Sequence, residues 1–254
     1  MLCSHLAHGR SGCRTARELV IGLSRLPLDE DTETALQARQ DKVNSSSDPK
    51  ATAAEEWRKL GSKRRRALLS NLRSMASGIE RCMYCEDSGG TDIKHFRPKS
   101  TYPAWAFQWE NYLLACSHCN SNEKRNQFPL LHSGQPALID PTVVDPSVHL
   151  IFSPTTGRYE ARDGDIIAAR SIEVFGLNRQ VCTQGRQDMW DNLLDIIASY
   201  EARPDRRAGI LGRISRYPFQ GVRLYLRRTW ESSRRDILLP AETIEVLTRY
   251  PELL

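Results

Sequence analysis

Four of the seven cysteines in this 254-residue chain fall into two Cys-x-x-Cys pairs, Cys82/Cys85 and Cys116/Cys119, with 30 residues between the pairs. A Cys-x-x-Cys turn sets two thiolates on one side of the backbone. Two such turns make a tetrahedral sulfur cage of the kind that holds structural Zn²⁺. A disulfide framework fits less well, because the chain is long, its cysteine count is odd and its N-terminus reads as carrying no export signal. That usage points to a reducing, cytoplasmic setting. A thioredoxin-like reading would need one pair in a βαβ context, which is missing. Cys3, Cys13 and Cys182 read as spare thiols.

Between and beside the pairs stand residues suited to acid–base and metal chemistry. His95 lies in Asp92-Ile93-Lys94-His95-Phe96-Arg97-Pro98, an extended stretch closed by proline. Asn111 precedes the apolar run Tyr112-Leu113-Leu114, and Asn120 follows Cys119 directly, with Lys124 and Arg125 beyond it. A neutral imidazole can take a proton from water near pH 7. A hard divalent ion can carry the charge that develops on a phosphodiester under attack.

The order Cys-x-x-Cys, His, Asn, Cys-x-x-Cys-Asn, Lys resembles the zinc-stapled form of the HNH endonuclease motif, whose core is a β-hairpin followed by a helix (ββα-metal). The resemblance implies that His95 is the general base and that Asn111 braces the hairpin loop and orients His95. It implies that Asn120 holds a catalytic Mg²⁺ or Mn²⁺ through its amide oxygen. Lys124 and Arg125 would then sit on the last helix of the motif facing phosphates, with Lys99 a further phosphate candidate. His118, inside the second pair, reads as an exposed turn residue. One residue departs from the pattern. Many HNH nucleases carry an acid just before the histidine, and here that residue is Lys94. Asp92 lies on the same strand face one pleat away, and could substitute only if the loop bends.

The surrounding words sharpen the resemblance: Cys82-x-Tyr84-Cys85-Glu86, Ile93-Lys94-His95-Phe96-Arg97-Pro98-Lys99-Ser100, Trp109-Glu110-Asn111-Tyr112-Leu113-Leu114-Ala115-Cys116, Phe128-Pro129-Leu130, Leu138-Ile139-Asp140-Pro141 and Gly176-Leu177-Asn178-Arg179. Together they are similar to the HNH nuclease subunits (PtuB-like) of Septu-type anti-phage defence systems, which also accompany some retrons. The similarity is tight over 82–130 and looser over the rest of 20–200. It implies a DNA substrate, with RNA second, and a PtuA-like ATPase partner of the ABC/SMC kind. Lys94 keeps another reading open, in which the module binds nucleic acid or a partner without cutting.

The elements that must position these residues follow from pattern. Asp29, Glu30, Asp31 and Glu33 ahead of good helix formers start a short helix, and Val43–Ala54 reads as a polar link. Leu68, Leu69, Leu72, Met75, Ala76 and Ile79 form one apolar stripe of a helix expected over 54–80. Lys63–Arg66, just before that stripe, reads as a solvated face or a phosphate contact. Residues 135–154 read as short extended pieces, with a hairpin at Thr155–Arg158. A helix opening at Ser171, a longer one over 178–202 and two or three more complete the chain. The expected class is mainly α with a small zinc-stapled ββα core, thus α+β. The expected parts are a disordered extension (1–19), a helical region (20–80), the core (81–131) and a helical region packing on it (132–254). The net charge of +5 is mild, but residues 203–235 hold ten arginines against two acids. Such a stretch suits a nucleic-acid backbone, an acidic partner or a solvated face. No run approaches the 18 apolar residues of a membrane span.

Overall fold

The computed structural model describes residues 23–254; the reading of 1–19 lies outside the described residues. The first three elements are helices α1 (Glu30–Asn44), α2 (Pro49–Arg58) and α3 (Ser62–Met75). Asp29 caps α1, its carboxylate accepting from the Thr32 amide at 2.9 Å, and the acids of the first turn face the positive end of the helix dipole. Asp48 caps α2 in the same way, with Pro49 at the first helical position.

Two expectations change here. The link over 43–54 is largely helical, because the Asp48-Pro49 start signal outweighs the polar composition around it. The helix expected over 54–80 is two helices, broken at Leu60-Gly61, where Gly61 is extended and caps α3. The buried stripe of α3 is Leu68, Leu72 and Met75, whereas Ile79 lies beyond the helix end and is 54% exposed. Arg65, from the basic run, turns inward, where its guanidinium caps the end of α2 by donating to the Leu60 carbonyl at 2.9 Å and to that of Trp57.

Among the described residues, two antiparallel hairpins make up the sheets. β1 (Asp92–His95) pairs with β2 (Tyr112–Ala115), Ile93 opposite Leu114 and His95 opposite Tyr112. β2 is buried along its whole length, with α3 against it. β3 (Leu150–Ser153) pairs with β4 (Arg158–Ala161) through the turn read from Thr155–Arg158. Then come α4 (Ile166–Val174), α5 (Gln180–Tyr200), α6 (Arg207–Ile214), α7 (Gln220–Glu231), α8 (Arg235–Leu238) and α9 (Ala241–Arg249). α4 thus starts five residues before the expected Ser171, because Asp165 caps it through the Ala168 amide. One continuous set of buried side chains runs from Leu36 to Leu253 and includes Leu113, Leu114 and the four paired cysteines.

Arg186 of α5 joins the second hairpin to the helices. Its buried guanidinium donates to the carbonyls of Gly157 and Leu177, both at 2.6 Å, and lies 4.4 Å from the Tyr159 ring centroid. Gly157 makes that approach possible. Its φ is +64°, and a Cβ there would lie 2.0 Å from the Thr183 carbonyl oxygen. Gly157→Ala is therefore expected to cost about 2–4 kcal/mol, read as a lower urea midpoint. Gly89→Ala, which meets nothing within 4 Å, should change stability by less than about 0.5 kcal/mol.

Candidate active site and metal centre

The two Cys-x-x-Cys turns flank the first hairpin, one ahead of β1 and one straight after β2. The sulfurs of Cys82, Cys85, Cys116 and Cys119 all lie within 4.8 Å of one another and all four residues are buried. Cys85 and Cys116 are 3.9 Å apart, sulfur to sulfur. Zinc–sulfur bonds of about 2.3 Å in a tetrahedron give sulfur separations of about 3.8 Å, so the donor set fits a structural metal ion such as zinc. Neighbouring thiols, Cys116 foremost, pull the Cys85 proton affinity far down and push that of Cys119 up. Thiolates this close need a cation among them. Arg179 adds positive charge outside the cage, its guanidinium 3.9 Å from the Cys119 sulfur. Cys182 is less of a bystander than the sequence implied. It is buried and groups with Cys85 and Asp87 within the same 4.8 Å limit, a closeness that arises only because α5 packs on the cage.

At the far end of β1, His95 is 6% exposed. Its Nε2 lies 2.9 Å from the Ala106 carbonyl, which also accepts from the Tyr112 hydroxyl at 2.8 Å. A carbonyl only accepts, so Nε2 carries the proton and Nδ1 keeps its lone pair. Burial first, then the charge of Lys99, pushes the His95 pKa down to about 3. The Trp57 ring stands edge-on to the imidazole, with centroids 4.5 Å apart. Trp57 was not singled out in the sequence; a single aromatic residue on an otherwise ordinary amphipathic helix gives no sign of which strand it will meet.

Asn111 braces the loop between the strands. Its Oδ1 accepts from the Arg97 amide at 2.7 Å, and its Nδ2 donates to the carbonyls of Arg97 at 3.1 Å and Trp105 at 2.7 Å. The last contact fixes the residue next to Ala106, and so the acceptor that orients His95.

Asn120 is the second residue of a single π-helical turn, Cys119–Lys124. Its Nδ2 donates to Asp92 Oδ2 at 2.8 Å, while the Lys94 ammonium donates to the carbonyls of Asn120 at 3.2 Å and Arg125 at 2.5 Å. Burial lowers the Lys94 pKa to about 8. His95, Lys94, Lys99, Asn120 and Arg125 line one cleft of about 350 Å³, with Lys50 and Trp57 from α2 on its wall. Lys124 is placed elsewhere. Its side chain is fully buried, donates to the Gln127 carbonyl at 3.2 Å and lies over the Phe128 ring, and burial pushes its pKa down to about 7. This differs from the expectation that it faces phosphates: the widened π turn carries the residue after Glu123 inward. His118 is exposed, as expected, and pairs with Glu123 at 2.8 Å.

A buried cysteine cage on a two-stranded hairpin, with a histidine lining the neighbouring cleft, defines a small module that can hold a metal ion, set among helices. No family model matches the chain. Over 144 residues it is 33% identical to Septu protein PtuB of Bacillus mycoides (strain KBAB4), covering 45% of this chain and 48% of that protein. Over 105 residues it is 30% identical to Septu protein PtuB of Bacillus thuringiensis, covering 39% and 37%. The chain is thus PtuB-like over part of its length and spans about half or less of the curated relatives it matches.

Purified chain is expected to carry one zinc, measured by elemental analysis, and to lose cooperative melting when a strong chelator removes it, since such sites supply on the order of 10 kcal/mol. Cys82→Ser should abolish zinc retention, while Cys182→Ala should keep it. His95 adds a pH signature. Its folded pKa of about 3 lies below the unfolded 6.5, so the unfolded chain holds the extra proton between these values. Stability therefore rises with pH across that window and is lost as pH falls through it, by up to about 1.4 kcal/mol per pH unit. Subtracting the pH–stability curve of His95→Gln from that of the native chain should leave this slope.

Proposed function

We propose that the chain is an endonuclease that hydrolyses phosphodiester bonds of DNA, acting in the cytoplasm as the nuclease of a Septu-type anti-phage complex with a PtuA-like ABC/SMC-type ATPase. The observation that carries the reading is the 2.9 Å contact of His95 Nε2 with the Ala106 carbonyl, which assigns the proton to Nε2 and leaves Nδ1 to accept, on a residue that lines a cationic cleft. The similarity to Septu PtuB proteins supports the defence setting and the partner.

The chemistry follows from the groups present. A phosphodiester enters the cleft and its charge is met by Lys94, Lys99 and Arg125. The bound anion offsets the lysine charge that depresses His95, which raises the basicity of Nδ1 as the substrate arrives. Nδ1 takes a proton from water, the water oxygen bonds to phosphorus and the bond from phosphorus to the 3′ oxygen breaks. The leaving oxygen takes a proton from solvent, and the imidazolium returns its own to solvent. Asn111 holds the loop that keeps Nε2 bonded, and the cysteine cage fixes both strand ends. A Mg²⁺ or Mn²⁺ on Asn120, implied by the motif, does not fit these residues: no carboxylate lines the cleft among the described residues, and the Lys94 ammonium is bonded to the main-chain carbonyl of Asn120. No step is routed through such an ion.

Supercoiled plasmid incubated with the chain and its co-expressed ATPase partner tests the reading. His95→Ala should slow nicking by about 10²–10⁴-fold. Asn111→Ala should slow it less and also lower stability by about 1–3 kcal/mol, the cost of buried groups left unpaired. Equal nicking by the native and His95→Ala chains would remove His95 from the chemistry. Salt-dependent DNA binding without nicking under any metal or partner condition would establish the non-cutting module instead, a reading that Lys94 keeps open.

A further inference from the structure

We infer that the cation serving the phosphate in this cleft is the Lys94 ammonium, in the place of a divalent metal ion; this rests on the phosphodiesterase reading above. Four cationic side chains line the cleft, Lys50, Lys94, Lys99 and Arg125, and no carboxylate does so among the described residues. Hard divalent ions are held by oxygen donors, with carboxylates supplying the charge. Here the nearest carboxylate, Asp92, is already engaged at both oxygens, by Asn120 Nδ2 at 2.8 Å and by the Thr91 hydroxyl at 3.1 Å. An incoming ion would have to break that pair and settle against an ammonium.

The ammonium is built into the backbone around it. Two of its three N–H groups are spent on the carbonyls of Asn120 and Arg125. Arg125 has φ +45°, a conformation that L residues adopt at a cost, and the Lys94 contact helps to hold it there together with the bond from Arg125 Nε to the Ser121 carbonyl at 3.1 Å. This leaves one Lys94 donor for a phosphate oxygen, on a residue adjacent in the strand to the His95 base. Lys94 thereby ties β1 to the π turn and carries positive charge at the position where the motif would have placed a metal. Arg125, Lys99 and the third Lys94 proton together make an anion site that needs no added ion.

The test uses the full zinc-loaded chain in chelator-treated buffer, with two probes: free Mn²⁺ followed by electron paramagnetic resonance, and a short fluorescent oligonucleotide. The native chain should bind the oligonucleotide without added metal and hold no Mn²⁺ at millimolar concentration. Lys94→Gln should bind the oligonucleotide about tenfold or more weakly, and Lys94→Arg, which keeps the charge, should retain most of the affinity. Lys94→Glu should gain a Mn²⁺ site that is lost again when Asn120→Ala is added. Zinc content and far-ultraviolet circular dichroism of each variant report folding, and the Mn²⁺ measurement on the native chain stands even if a variant fails to fold. A native chain that binds one Mn²⁺, with the site lost in Asn120→Ala, would overturn the inference. So would oligonucleotide binding that is equal in Lys94→Gln and the native chain. If no substrate is cut under any condition, the nuclease reading fails, and the Mn²⁺ and oligonucleotide results still decide the role of Lys94.

Discussion

Four sulfurs gathered within bonding reach of one ion tie the turn ahead of β1 to the turn after β2, and the remainder of the site hangs from that tie. The hairpin is only four residues long on each strand, and an isolated two-stranded ribbon of that length has too little buried surface to persist in water. Clamped at the cage end and covered by α3, the hairpin becomes a rigid rod with His95 at its other end. The same cage fixes Cys119, and with it the π turn that presents Asn120 and Arg125. Four buried thiols at this spacing suit a structural metal ion such as zinc.

Polar order in the cleft propagates from backbone carbonyls rather than from ion pairs. Ala106 accepts from His95 and Tyr112, Trp105 accepts from Asn111, and Asn120 and Arg125 accept from Lys94. Carbonyl acceptors select tautomers and hold ammonium groups without adding negative charge, so the cleft stays positive. That suits an anionic substrate and is a poor setting for a second metal ion. The arginine-rich helices of the C-terminal region show the converse economy. Several of their guanidiniums have structural partners, Arg228 with Asp145, Arg207 with Tyr250 and Arg223 with the Leu254 carbonyl, so the local charge excess overstates the charge free to meet a ligand.

Much of the module was legible in the residue string because its constraints are local. Cys-x-x-Cys spacing specifies a turn and the acids from Asp29 specify a helix start, whereas the start at Asp48 reads as part of a polar link. The bracing role of Asn111 was implied by the resemblance to the HNH motif, since the residue by itself reads only as a turn or cap. The break at Gly61, the exposure of Ile79 and the inward turn of Arg65 were not legible. A helical stripe continues in sequence past the point where the chain leaves the helix, and only packing against the hairpin shows where it ends.

The sequence by itself determined the cysteine cage, the strand carrying His95 and the mixed α+β character, since each depends on spacing along a few residues. The tertiary structure alone decided which nitrogen of His95 is free, that Trp57 covers it, that Cys182 flanks the cage and that Lys124 is buried. It also decided that the Lys94 ammonium is bonded to the carbonyls of Asn120 and Arg125. Each of these depends on contacts between segments dozens of residues apart, and the direction of a side chain in a π turn or at a strand end follows from what packs against it.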